Sequence, residues 1–160
     1  MADVRTILSE EALASLRAAF DPALLGFAAT KRAAAPYTDA APFIDAIGAR
    51  YYVAGPGASG PSSPVAPKDR ERTLIGILAA GNRPAFALAV HVYWGLMEGL
   101  DVDDIADTLL LAGAYAGVDA FTNAAFTLGE TLELLAGLAA TPETARSAAV
   151  LPRIIERFRR

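Results

Sequence analysis

The stretch GNRPAFALAVHVYWGLMEGL, residues 81–100, holds the only histidine of the 160-residue chain, His91. Between Pro84 and Met97 no residue carries a fixed charge. An imidazole in that setting has two readings. It is a buried neutral ring satisfied by a backbone carbonyl or a carboxylate, or it is a general acid or base tuned by burial and a nearby carboxylate. On a helix, positions 84, 87, 88, 91, 95 and 98 share one face. Ala87, Leu88 and Gly95 then surround His91 and leave space beside the ring for a ligand, with Glu98 two turns further on.

The carboxylate best placed to meet His91 comes from KDRER, residues 68–72. A charge run is ordinarily a solvated first helical turn. Here the helix continues as TLIGILAAG, and Glu71 shares the stripe of Leu74, Ile75 and Leu78, whereas Asp69 and Arg72 fall off it. Glu71 is therefore expected to turn inward and pair with His91. Asn82-Arg83 stands at the junction of the two helices. A cation near a helix start opposes the macrodipole, so some other interaction must hold Arg83 there. Either a bidentate grip on a substrate carboxylate or an ion pair across a subunit interface would do so. Tyr115, in LAGAYAG, lies among small residues that allow close helix approach, and is expected to pack in the core, with proton donation as its alternative role.

These side chains need helices to carry them, and the chain supplies the signals. Ser9 caps a helix with Glu10 and Glu11 in its first turn and Leu13, Leu16 and Phe20 on one face. Asp21-Pro22 restarts a helix, and the spacing of Phe43, Ile44, Ile47 and Tyr51 predicts another over Ala41–Val53. GPGASGPSSPVAP, residues 55–67, reads as an exposed connector rather than a flap over a site. Four helices follow. They run over Lys68–Ala80, from Pro84 to Gly99, from an Asp101 cap with Asp103 and Asp104 behind it, and from Asp119 to about Leu138. Thr141-Pro142-Glu143 begins a last helix that ends in a basic tail. Tyr51-Tyr52-Val53 is the only β-like run. The expected class is all-α, one domain overall. Its parts are a helical segment at 1–54, the connector at 55–67, a core at 68–138 and a carboxyl-terminal helix at 139–160.

Composition removes many alternatives. The chain has no cysteine, which excludes disulfides, thiolate catalysis and Cys-ligated metal centres, and its single histidine excludes a His-rich metal site within one chain. No metal site and no cofactor are expected. A net charge of −4 argues against a nucleic-acid surface. A hydrophobic fraction of 54% with mean hydropathy +0.34 is high for a monomer, so self-association is expected to hide the surplus. The longest apolar stretches fall short of the ~20 residues that cross a bilayer. The stretch MADVRTILSEEALASL meets acidic residues before any apolar run, which is not a secretory pattern. A cytoplasmic protein without membrane attachment is expected.

RERTLIGILAAGNR, then His91, then GLDVDDIADTLLLAGAYAGVDAFTNAAFTLGETL together resemble the carboxymuconolactone decarboxylase family of the alkylhydroperoxidase D-like superfamily. The shared features are a helix ending in the Asn82-Arg83 turn, a helix with His91 followed by Gly99, the acidic-capped Asp103-Asp104-Ile105, and Tyr115-Ala116-Gly117. They span about residues 68–135.

The resemblance implies an antiparallel helical bundle assembled as trimers or hexamers. It further implies cofactor-free decarboxylation of a small carboxylated lactone or related aromatic-degradation intermediate. In that chemistry His91 is proton donor or enolate stabiliser, Glu71 its orienting carboxylate and Arg83 the anion anchor, with Asn82 and Tyr115 also binding substrate. The peroxidase branch of the superfamily carries Cys-x-x-Cys just before the histidine. Pro84 to Ala87 stand there instead, so peroxidase chemistry is excluded, although Glu71 occupies the place of that branch's upstream glutamate. The alternative is a non-catalytic ligand-binding or assembly protein on the same scaffold. The missing cysteines favour it, as does Phe126-Thr127-Leu128-Gly129-Glu130, where the family carries a second histidine.

Overall fold

The structure is a computed structural model that describes residues 3–21, 40–52 and 63–158. Its elements are helical throughout, and the described residues contain no strand, as the all-α expectation requires. None of the described helices is long and apolar enough to cross a membrane. The chain divides into two compact units, one of residues 1–20 and 68–160 and the other of residues 21–67.

In the smaller unit, α2 (Ala40–Tyr51) starts and stops within two residues of the helix expected there. Its end is closed by Tyr52 N–H on the Gly48 carbonyl (3.0 Å), and Ser63 N–H donates to the Arg50 carbonyl (3.0 Å). Tyr51 thus ends a helix and does not begin a strand. The helix expected from Pro22, and residues 55–62 of the connector, lie outside the described residues.

The larger unit holds the core. A 3-10 turn (Val4–Thr6) precedes α1 (Glu10–Ala18), whose cap is Ser9, accepting from Ala12 N–H. Then come α3 (Pro67–Ala80), α4 (Ala85–Met97), α5 (Val102–Ala116), α6 (Val118–Leu138), α7 (Pro142–Ala145) and α8 (Ser147–Phe158). Helix α4 is the central one: α1, α6 and α8 all pack on it, and every residue from Val92 to Met97 is buried. That is the setting an uncharged, all-round apolar helix requires. Its end is tightly made. Gly99 takes φ +98°, and Leu100 N–H reaches back to the Gly95 carbonyl (2.8 Å), the geometry of a Schellman stop. Arg17 of α1 covers what remains, donating Nε to the Leu96 carbonyl (2.8 Å) and Nη2 to that of Leu100 (3.0 Å).

Helix α5 opens with the expected Asp101 cap, here a full reciprocal pair. Asp101 Oδ1 accepts from Asp104 N–H (2.7 Å), and Asp104 Oδ2 accepts from Asp101 N–H (3.4 Å). Asp104 also takes Lys68 Nζ at 3.1 Å and Arg72 Nη2 at 2.5 Å, which ties α3 to the start of α5. Burial opposes ionisation there. The hydrogen bonds from Lys68 and the Asp101 amide and the charge of Arg72 outweigh it, and hold the Asp104 carboxyl below its ordinary range.

In place of the single last helix expected from Thr141 there are two, α7 and α8, parted by Arg146 in extended backbone. Ala145 and Ser147 are both fully buried. Two residues apart on one regular helix they would face nearly opposite ways, so the extended residue between them turns both inward. The Ser147 hydroxyl then meets the Tyr93 hydroxyl at 3.1 Å. Burial pushes the Tyr93 phenol above its ordinary pKa, and that bond draws it partly back.

Candidate functional site

Glu71 stands one turn into α3 on the stripe that continues through Ile75 and Ala79, and all three are buried. The side chain of Glu71 is 0% exposed. Its two oxygens are divided between two donors. Oε1 accepts Arg70 Nε at 2.7 Å, and Oε2 meets His91 Nδ1 at 2.8 Å. A carboxylate only accepts, so Nδ1 carries the proton. The other ring nitrogen, Nε2, has no hydrogen-bond partner among the described residues. No buried side-chain nitrogen or oxygen among them lacks a partner, so Nε2 is open to solvent. His91 is correspondingly 22% exposed, directly before the buried stretch from Val92 to Met97.

Two residues outside the spacing argument complete the surroundings. Arg70, only 8% exposed, neutralises Glu71 and lies 3.8 Å from Glu98. Its guanidinium carbon is 5.7 Å from the centroid of the Trp94 ring. Trp94 lies nearly parallel to the imidazole (11°, centroids 6.4 Å apart) and donates its indole N–H to Glu98 at 3.2 Å. Trp94 and Glu98 are three and seven residues beyond His91, so a helical wheel carries the signal for both. For Arg70 the sequence holds no such signal, because its neighbours Asp69 and Arg72 do face outward.

Gly95 is what lets α3 and α4 approach closely here. A Cβ at that position would stand 2.7 Å from Leu100 Cδ1, 3.2 Å from Ile75 Cδ1 and 3.6 Å from Glu71 Cβ. Any larger residue would press on the segment that carries the carboxylate.

The remaining residues expected at the site lie elsewhere on the chain. Asn82 and Arg83 line a separate cavity of ≈ 290 Å³ that includes neither Glu71 nor His91. Ala79, part of its wall, is two turns from Glu71, about 12 Å along the axis, while Leu88, also in the wall, stands one turn before His91 on α4. Tyr115 is 89% exposed, not packed in the core as its small neighbours suggest. Ile105 and Leu109 set the inward stripe of α5, and Tyr115 falls off it. The close helix approach belongs instead to Gly113, where a Cβ would stand 2.5 Å from Phe121 Cβ of α6. Among the described residues no three His, Asp or Glu side chains gather where they could hold a metal ion.

No family model, curated protein or solved structure matches the chain.

Proposed function

We propose that this chain is a cofactor-free decarboxylase-like protein of the carboxymuconolactone decarboxylase kind, acting on a small carboxylated lactone or related acid, with His91 as its proton donor. One observation carries the reading: a fully buried carboxylate holds Nδ1 of the chain's single imidazole at 2.8 Å and leaves Nε2 open. A purely structural imidazole needs only one such partner, whereas a proton donor needs a second nitrogen within reach of a substrate. His91 is oriented by Glu71 and keeps one nitrogen for something else.

The chemistry follows from that arrangement. As carbon dioxide departs, the bonding pair passes into the lactone carbonyl and gives an enolate. Protonated His91 stabilises the developing charge and delivers the Nε2 proton to carbon, then regains one from water. Glu71 fixes the ring plane and accepts from Nδ1–H throughout, while Arg70 offsets the carboxylate charge so that it can stay buried. Arg83, in its own cavity, has no part in this step.

Self-association as a trimer or hexamer belongs to the same reading. It is supported by the apolar surface exposed where α5 turns into α6, with Leu110, Leu111, Tyr115 and Val118 between 59% and 89% exposed.

Purified protein incubated with 4-carboxymuconolactone is expected to release carbon dioxide, and His91→Ala to slow the release about 10²-fold or more. Equal rates for the two proteins would remove His91 from the mechanism. No release by either, with a stable oligomer, would favour a non-catalytic role.

A further inference from the structure

Arg83 precedes the first turn of α4, where the positive end of the helix dipole disfavours a cation. It nevertheless forms no ion pair and no side-chain hydrogen bond among the described residues. Its position is fixed by the turn rather than by a partner. Asn82 takes φ +44°. Asn82 N–H returns to the Ala79 carbonyl (3.0 Å) and Arg83 N–H to that of Leu78 (3.1 Å). The side chain lies back over Gly81, where a Cβ would come within 3.2 Å of Arg83 Nε. Asn123 of α6 then pins the turn by donating Nδ2 to Asn82 Oδ1 at 3.1 Å.

Behind this turn lies the ≈ 290 Å³ cavity. Its apolar wall is made by Ala79 and Leu88 on one side and Ala120 and Ala124 on the other, with Asn123 and Thr127 of α6 adding polar groups beside them. Among the described residues Arg83 supplies its only charge, and no acidic residue lines it. The start of α4, which also reaches the cavity at Ala85, has no side-chain cap; the Ala87 N–H is taken by the Pro84 carbonyl (3.0 Å), which leaves the amides of Ala85 and Phe86 to an acceptor. An apolar wall with one cation and free amides at its mouth selects an anion with an apolar body. The volume is at the low end for ligand pockets, which limits that body to about one ring or a short branched chain.

We propose that this cavity binds a small monocarboxylate, with the carboxylate on Arg83 and the apolar part against Ala79, Ala120 and Ala124, as a site distinct from the His91 centre. The assignment stands on its own residues and holds whether or not His91 transfers a proton.

Titration with benzoate, phenylacetate and isovalerate, followed by calorimetry and by amide chemical shifts, tests it. At least one of the three should bind saturably. The uncharged amide of that same acid should bind at least tenfold more weakly. Arg83→Gln, which changes an exposed side chain, should weaken the acid at least tenfold, and Ala124→Leu, which fills the cavity, should do the same with the helical spectrum intact. His91→Ala should leave the affinity within twofold. Saturable binding by none of the three acids would overturn the proposal. So would equal binding by Arg83→Gln, or loss of binding in His91→Ala.

Discussion

Glu71 is the residue on which the candidate centre depends most. It is a fully buried acid with a cation on one oxygen and an imidazole on the other. Removing one member of a buried pair leaves the other charge uncompensated, at a cost of about 3–5 kcal/mol. Glu71→Gln keeps the shape but not the charge. It is expected to lower stability by about 2 kcal/mol or more, since the guanidinium of Arg70 loses a charged acceptor. Chemical denaturation of the purified variant measures this, and a shift within error of zero would mean that Arg70 is balanced by its other contacts. The pairing of Glu71 with His91 is legible in the sequence because both lie on the apolar stripes of their helices. Arg70 is not, because a buried arginine beside a buried glutamate breaks that same stripe rule. Arg83 stands out in the sequence as a cation needing a reason to sit at a helix start. One dimension of sequence does not show that the cavity beside it excludes His91.

At the scale of elements, the helix starts carry the clearest signals. Ser9, Asp101 and Thr141 each accept the backbone amide that their side chains suit. Interruptions are harder to foresee. The break at Arg146 follows from tertiary burial of both Ala145 and Ser147, which no local propensity encodes. Glycines within helices divide in the same way. A Cβ added at Gly129 of α6 would meet nothing within 4 Å, whereas one at Gly113 of α5 would face Phe121 Cβ at 2.5 Å and its Cα at 3.4 Å. Gly129→Ala should therefore stabilise the protein by about 0.5–1 kcal/mol through helix propensity. Gly113→Ala should destabilise it by about 1–3 kcal/mol, since the atoms it meets are anchored to the α6 backbone and cannot swing aside. Thermal melts of the two variants provide the comparison, and a stabilised Gly113→Ala would show that the α5–α6 contact yields more readily than those distances require.

At the scale of the whole molecule, the apolar surplus evident in composition is visible as exposed side chains near the α5–α6 corner. If that surface joins copies of the chain, Leu111→Asp should shift the protein toward monomer in light scattering coupled to gel filtration, with its helical spectrum retained. A wild-type monomer would show that the surface serves another purpose. The larger unit is itself assembled from both ends of the chain. Arg17 closes the end of α4 from 79 and 83 residues away, a dependence that reading local windows does not reveal. Trp94 has one more consequence. It is the only tryptophan in the chain, so red-edge excitation makes the protein a single-fluorophore system with its emitter stacked on His91. An occupant of the His91 centre should alter the lifetime and quenching of that emission, while an acid held at Arg83 should leave them nearly unchanged. One optical channel can thus tell the two sites apart without a label.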